Sequence, residues 1–503
     1  MLYADFFSNI QLGLSTAVSP TNLLYCFVGV FVGMLVAVLP GVGKLAAMSM
    51  LFPMTFYLGP TASLIMLAGI YYGTGYGGST ASILLNVPGE PSSAVTCIDG
   101  YQMAKQGRAG VALSIAAIAS FVAGSIGILV MMLFSPIILS AAQSFSSAEY
   151  FAVMLLGLLS ATAITDGSFF KSLSMVFLGL LLGTVGLDLF TGLPRYTFGI
   201  PDLSDGVSIV ALAMGVFGLS EIINSVRAVA EGKVQNVTLR SLIPTRDDMR
   251  RSVGPILRGS VTGSLLGALP GVGPAIASFM AYALEKRVSK DPSRFGKGAV
   301  EGVAAPEAAN NGADQTGFIP TMTLGIPGNA AMALMLGVLI MHGITPGPSL
   351  VTKHPDVFWG LVMSFWIGNL MLLVLNIPLV GIWVRLLQIP YKWLYPAVVM
   401  FICIGVYSVN SSSFDVLLVV LFGGMGYILK YLGFSLAPLL LGFVLGPLME
   451  EHFQRAMIQS HGNLLIFFER PISGTAMFIA IALAAWAAYA AIKRRPVLVE
   501  VAA

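Results

Sequence analysis

Leu39-Pro40-Gly41-Val42-Gly43 and Leu269-Pro270-Gly271-Val272-Gly273 are one pentapeptide written twice, 230 residues apart. At that offset residues 29–50 and 259–280 share 10 identities in 22 positions, among them Gly29/Gly259, Gly33/Gly263, Leu35/Leu265, Ala47/Ala277 and Met50/Met280. The chain therefore reads as a duplication. Each copy interrupts an apolar run. A proline set among glycines removes a backbone donor and admits φ angles that no helix uses, so each helix is expected to break at 39–43 and 269–273. In hydrocarbon the freed N–H and C=O groups are tolerated only where protein buries them or they line a wet cavity. A break repeated at corresponding positions of two halves points to a transport site. A proline kink between packed helices is the plainer reading.

Composition sets the class. The 503 residues are 56% hydrophobic and 10% charged, with a mean hydropathy of +0.87, which implies an all-α polytopic membrane protein. Uninterrupted apolar runs at 111–133, 150–164, 357–375 and 476–492 reach bilayer length or close to it. The 56 glycines and 27 prolines follow no fixed period and suit close helix packing. Cys26, Cys97 and Cys403 stand singly in apolar surroundings and read as packing residues. No Lys or Arg precedes Lys44, so the charged start of a signal peptide is missing.

Four regions follow. Residues 1–224 form a first membrane repeat, with a hairpin tip at 39–43 and a second break at 85–91. Residues 225–258 are a basic cytoplasmic linker carrying Arg227, Lys233, Arg240, Arg246, Arg250, Arg251 and Arg258. Residues 259–451 form a second repeat, with a tip at 269–273 and a break at 324–328. Residues 452–503 hold a periplasmic loop, a last transmembrane helix and a cytoplasmic C-terminus. The second breaks also match: Leu85-Asn86-Val87-Pro88-Gly89 recurs as Leu324-Gly325-Ile326-Pro327-Gly328 at an offset of 239, with Gly73/Gly312 and Gly78/Gly317 in step. Residues 73–80 read as a loose stretch, and 306–323 as a polar, small-residue one. Spans near 110–140, 147–164, 169–190, 206–224, 357–387, 393–410, 414–433, 435–449 and 473–492 bring the total to about 11–12 membrane segments. Basic clusters on both sides of 259–284 make that segment re-entrant. The positive-inside rule then places 21 of the 26 Lys and Arg in the cytoplasm, with the N-terminus periplasmic. Two inverted repeats of this kind suggest an elevator-type carrier.

Small neutral polar residues gather at the breaks. Those expected to bind substrate are Gly41, Gly43, Ser79, Thr80, Asn86, Pro88, Gly271, Gly273, Asn311, Thr321, Thr323, Pro327, Gly328 and Asn329. Half-helix N-termini direct partial positive charge at a carboxylate, while side-chain oxygens and freed carbonyls suit Na⁺. The expected Na⁺ ligands are Gly41, Asn86, Gly271, Asn310, Asp314 and Thr316. Glu307 and Asp314 are candidates for proton or ion coupling, since an intramembrane acid is a functional candidate by default. The bland reading is that such polar groups only hold helices together. Glu221 and Glu450 are read as interfacial. No HExxH, GxSxG or Walker loop is present, and no GxGxxG opens a nucleotide fold, so no catalytic residue is assigned, no cofactor is expected beyond the coupling ion, and an ion gradient must drive transport.

These stretches, with Pro306-Glu307-Ala308-Ala309-Asn310-Asn311 and Leu445-Gly446-Pro447-Leu448-Met449-Glu450, resemble the large membrane subunit of tripartite tricarboxylate transporters (TctA type) over nearly the whole chain. The resemblance implies a secondary transporter of the bacterial inner membrane. It would take up citrate-like di- or tricarboxylates with a small four-span membrane subunit (TctB type) and a periplasmic solute-binding protein (TctC type). A passive organic-anion channel, a membrane-embedded enzyme and a non-transporting scaffold are the rival readings.

Overall fold

The structure is a computed structural model that describes residues 6–38, 43–142, 145–164, 168–188, 190–225, 237–269, 273–386 and 391–493. Leu39 to Val42 and Pro270 to Val272, the two hairpin tips, lie outside the described residues. Among the described residues five helices are long and apolar enough to cross a membrane: Pro20–Val38, Ala109–Ile138, Pro355–Asn376, Ser413–Tyr431 and Pro471–Lys493. Five shorter apolar helices accompany them. By length alone the described residues thus offer fewer full spans than the 11–12 membrane segments expected.

The chain divides into two compact units that cut across the repeat boundaries, residues 1–144 with 208–428, and residues 145–207 with 429–503. The first unit is built on two helix pairs. Pro20–Val38 packs on Pro60–Leu85, and Arg246–Gly267 packs on Glu301–Thr316. Glycine brings the backbones together in both. A Cβ on Gly33 would lie 2.7 Å from Ile70 Cα, and one on Gly263 would lie 2.6 Å from Ala309 Cα. Gly29 and Gly259 press on the backbones of Met66 and Ala305 in the same way. The glycines are 230 residues apart and their partners 239 apart, so the offsets read in the sequence reappear as matched contacts.

Residues 73–80 are not loose. Helix Pro60–Leu85 runs through them without a break. Gly69, Gly73 and Gly77 share one face at every fourth position, and a Cβ on each would strike helix Pro20–Val38, for example Val30 N at 2.9 Å and Val30 O at 2.8 Å. Their glycines serve close approach rather than chain reversal. Likewise 306–323 is helical, as Glu301–Thr316 and Phe318–Leu324. The second breaks fall where expected. Asn86 (φ 58°) and Gly325 (φ 72°), counterparts at offset 239, end their helices in the left-handed region, which Asn and Gly tolerate best. Past each break the chain folds back, bringing Gly89 onto Gly78 and Gly328 near Gly317.

Along helix Arg246–Gly267 an apolar stripe faces outward and small polar residues face inward. Val253, Leu257, Val261 and Leu265 are exposed at every fourth position, while Ser252, Ser260, Gly263 and Ser264 are buried. That inversion suits lipid and close helix contact. Arg258 Nε and Nη2 grip Glu285 at 2.8 and 2.7 Å, tying this helix to Gly273–Val288. The two partners stand 13 residues before and 14 after Gly271, so the segment doubles back as a hairpin. Asp99, on helix Ala94–Lys105, accepts the backbone N–H groups of Gly296, Gly298 and Ala299 at 2.8–2.9 Å and the Tyr282 hydroxyl at 2.9 Å. It anchors the approach to helix Glu301–Thr316.

In the second unit helix Phe169–Gly183 packs on Ala437–Gln459. The expected span at 435–449 continues ten residues further as this helix, and Glu450 is bound within the protein. Arg195, on a two-residue strand, holds it bidentately at 2.7 and 3.1 Å.

Candidate functional site

The site is a cluster of buried charges in the first unit. Lys44 is the first residue of helix Lys44–Leu51, directly after the first hairpin break. Its Nζ lies 3.1 and 3.0 Å from Asp314 Oδ1 and Oδ2 and 3.2 Å from Glu90 Oε2, and stands 3.9 Å over the centre of the Tyr71 ring. The side chains of Lys44, Glu90 and Asp314 are 11%, 4% and 1% exposed. Each comes from a different place: Asp314 from the last turn of helix Glu301–Thr316, Glu90 from the cap of the turn Pro91–Ser93, Tyr71 from helix Pro60–Leu85. A carboxylate buried with an ammonium and further donors is tolerated where either alone would not be.

Glu307 sits about two turns before Asp314 on the same helix and is 1% exposed. Thr96 and Ser79 donate to its two oxygens, Ser79 at 2.7 Å, and Ser120 stands 3.5 Å away. Among the described residues no Lys, Arg or His reaches it. Two buried carboxylates therefore share one ammonium while a third, Glu307, has only hydroxyl partners, and the group retains an excess of negative charge unless it takes up a proton or a metal cation.

Asn311 Nδ2 donates to Ser120 Oγ (2.7 Å) and to the Glu307 carbonyl (3.1 Å). Asn310 is buried beside it, and neither of its amide atoms has a hydrogen-bond partner among the described residues. Thr80 is buried with its hydroxyl unpartnered. Asn329 caps helix Ala330–Met341 by accepting from Met332 N at 3.0 Å, and donates to the Tyr71 hydroxyl at 2.7 Å. Asn329 and Glu90 are counterparts at offset 239, and both cap the element after their break.

Not every expected residue joins the cluster. Asn86 and Pro88 are exposed at the first break, Asn86 as a helix cap, whereas Pro327 and Gly328 are buried at the second. Thr316 and Thr323 turn their hydroxyls onto the carbonyls of Gly312 and Ile319 four residues back in the chain. Thr321 bonds the Gly317 carbonyl and receives Gly328 N at 3.4 Å, which pins the second break. Gly43 is extended (φ −71°) and Gly273 left-handed (φ 65°) beside their tips, while Gly41 and Gly271 lie outside the described residues. Sequence reasoning passed over Lys44, Glu90, Thr96 and Ser120. Lys44 carried a signal: it is the only Lys or Arg before Lys105, and it follows the repeated break at once.

Among the described residues no three His, Cys, Asp or Glu side chains converge as a metal site. Oxygen from amides, hydroxyls and carboxylates is what the cluster offers, a set that suits hard cations and protons rather than soft metals.

Residues 23–441 match the family described as the Tripartite tricarboxylate transporter TctA family. An Agrobacterium vitis protein described as "Uncharacterized 52.8 kDa protein in TAR-I ttuC' 3'region" is 50% identical over 478 residues, 95% of each chain. A second from that organism, "Uncharacterized protein in TAR-II ttuC' 3'region", is 54% identical over 200 residues, 40% of this chain and 83% of its own. No solved structure matches this chain.

Proposed function

The chain belongs to the tripartite tricarboxylate transporter TctA family, and from that premise we propose that it is the large membrane subunit of a binding-protein-dependent secondary transporter importing a di- or tricarboxylate with Na⁺ or H⁺. The single observation that carries this reading is Lys44, a buried ammonium between Glu90 and Asp314 with Glu307 close by on the Asp314 helix. An organic anion entering needs positive charge, which Lys44 and the half-helix N-termini supply. An anion alone meets the uncompensated carboxylates. A cation entering with it removes that repulsion, so coupling follows from the charge count, and a passive anion channel fits the site less well. Ser79, Thr80, Asn311 and Asn329, with the backbone at both tips, complete the proposed substrate site, and Glu307 and Asp314 carry the coupling.

The partners in this reading are a small four-span subunit of TctB type and a periplasmic solute-binding protein of TctC type, in a bacterial inner membrane. The two repeats are inverted, and transport is of the elevator kind. The experiment is uptake of radiolabelled citrate and related di- and tricarboxylates into vesicles containing all three components, with Na⁺ and pH gradients imposed separately. Uptake above the external concentration under one of the gradients is expected. Flux that only dissipates the substrate gradient makes the protein a channel and overturns the reading. Gly271→Val should abolish concentrative uptake while the protein still inserts; the roughly 1–3 kcal/mol of backbone strain at such a position amounts to about 5- to 150-fold in an equilibrium constant. Normal uptake with unchanged ion dependence would reduce the break to a packing kink.

The orientation has its own test. A single cysteine at position 352 should react with an impermeant thiol reagent in intact cells, and one at position 240 only after lysis, because the basic linker faces the cytoplasm. The opposite labelling pattern removes the inverted arrangement.

A further inference from the structure

Gly75 and Asp314 are repeat counterparts at offset 239, and they meet. The point at which a Cβ on Gly75 would stand lies 3.6 Å from Asp314 Oδ2, 3.6 Å from Asn311 Oδ1 and 3.8 Å from Asn310 Nδ2. Where one repeat carries an acid, the other carries no side chain, and three polar groups converge on the room this leaves. The Asn311 amide is oriented by its two donor bonds to Ser120 Oγ and the Glu307 carbonyl, which leaves its oxygen toward Gly75. The Asn310 amide, 1% exposed, has no partner for either atom among the described residues. Nothing therefore fixes which way it is turned, and amide oxygen and nitrogen are interchangeable by a half-rotation. Turned over, it presents its oxygen to the same point.

We propose that this notch binds a monovalent cation, Na⁺ in size and hardness, through Asn310 Oδ1, Asn311 Oδ1 and the Asp314 carboxylate. The inference rests on the ion-coupled reading of the same cluster and assigns the ion a place. A buried, uncharged donor for Asn310 alone would be satisfied by water, but water leaves the excess negative charge of Glu90, Glu307 and Asp314 over Lys44 as it was. A single positive charge reduces it. A divalent ion is a poorer fit, since Ca²⁺ takes six to eight oxygens and Mg²⁺ keeps several waters in an octahedral shell, whereas the one carboxylate here is shared with Lys44. The site also links coupling to substrate, because Asp314 holds both the cation and the ammonium that meets the carboxylate.

The test is equilibrium binding of radiolabelled Na⁺ to the purified full-length chain in detergent, with K⁺ and choline as competitors and no organic acid present. Saturable binding that excess choline leaves intact is expected. Gly75→Ala is the decisive variant: contacts of 3.6–3.8 Å are ordinary for a methyl group, and alanine favours a helix over glycine, so the fold is kept while the methyl takes the ion's place. Binding should fall by about ten- to a hundred-fold, the scale on which disturbing a metal site's supporting residues acts, and Asn310→Ala should act alike. Gly424→Ala, where a Cβ meets nothing within 4 Å, should bind as the wild type does. Binding undiminished in a folded Gly75→Ala overturns the assignment, as does a wild type that binds no Na⁺. Uptake driven by pH without Na⁺ binding overturns the notch and leaves ion-coupled import standing. Na⁺ binding lost in Gly75→Ala, in a protein whose uptake ignores every ion gradient, supports the notch and overturns the coupled reading.

Discussion

Lys44→Gln is expected to destabilise the protein by about 3–5 kcal/mol, the cost of leaving one partner of a buried ion pair uncompensated. Here two partners are stranded at once, since Asp314 and Glu90 both lose the ammonium. Neither can regain water, because their side chains are 1% and 4% exposed. Adding Asp314→Asn removes one negative charge with the positive one and returns the cluster to its original net charge, so the double variant should recover much of the loss in thermal stability, read by circular dichroism in detergent. Uptake should not return with it, because the group that meets the substrate carboxylate is still missing. A single variant that melts as the wild type does would mean that Lys44 is not held as described. A double variant with normal uptake would leave Lys44 as a structural counter-ion, and the anion's partner would have to be found elsewhere.

Gly263→Val is expected to cost at least about 3 kcal/mol, the upper end of what overpacking usually costs. Its first side-chain atom alone would stand 2.6 Å from Ala309 Cα and 2.8 Å from Ala309 C. Backbone cannot turn aside as a flexible side chain can, so helix Arg246–Gly267 must move away from Glu301–Thr316, the helix that carries Glu307, Asn310, Asn311 and Asp314. Gly33→Val, the counterpart in the other repeat, meets Ile70 Cα at 2.7 Å and should fail in the same way. Both are read from the yield of monodisperse protein after detergent extraction and from its melting temperature. If either variant were as stable as the wild type, glycine at these crossings would not be what sets the distance between the helices.

The residues named by the sequence divide by the range of the physics that acts on them. Asn86 and Gly325 end their helices in left-handed conformations because the following residues, Val87-Pro88 and Ile326-Pro327, prevent a helix from continuing, and such a preference acts within a few residues. Residues 73–80 misled for the opposite reason. Glycine lowers helix propensity locally, but the face made by Gly69, Gly73 and Gly77 is paid for by contact with a helix more than thirty residues away in the chain, and tertiary packing outweighed the local preference.

From the sequence alone came the membrane class, the duplication, the positions of the second breaks and the family. Each rests on composition, on local backbone chemistry or on matching residues at fixed offsets, none of which requires knowing what touches what. Only the tertiary structure decided that Lys44 pairs with Asp314, 270 residues on, that Glu90 joins them, that Glu307 is met by hydroxyls from three separate helices or turns, and that Gly75 faces its own counterpart. A buried charge is determined by its neighbours, since an ion taken out of water must find its compensation wherever the fold brings a partner, and that partner carries no mark in the residues beside it.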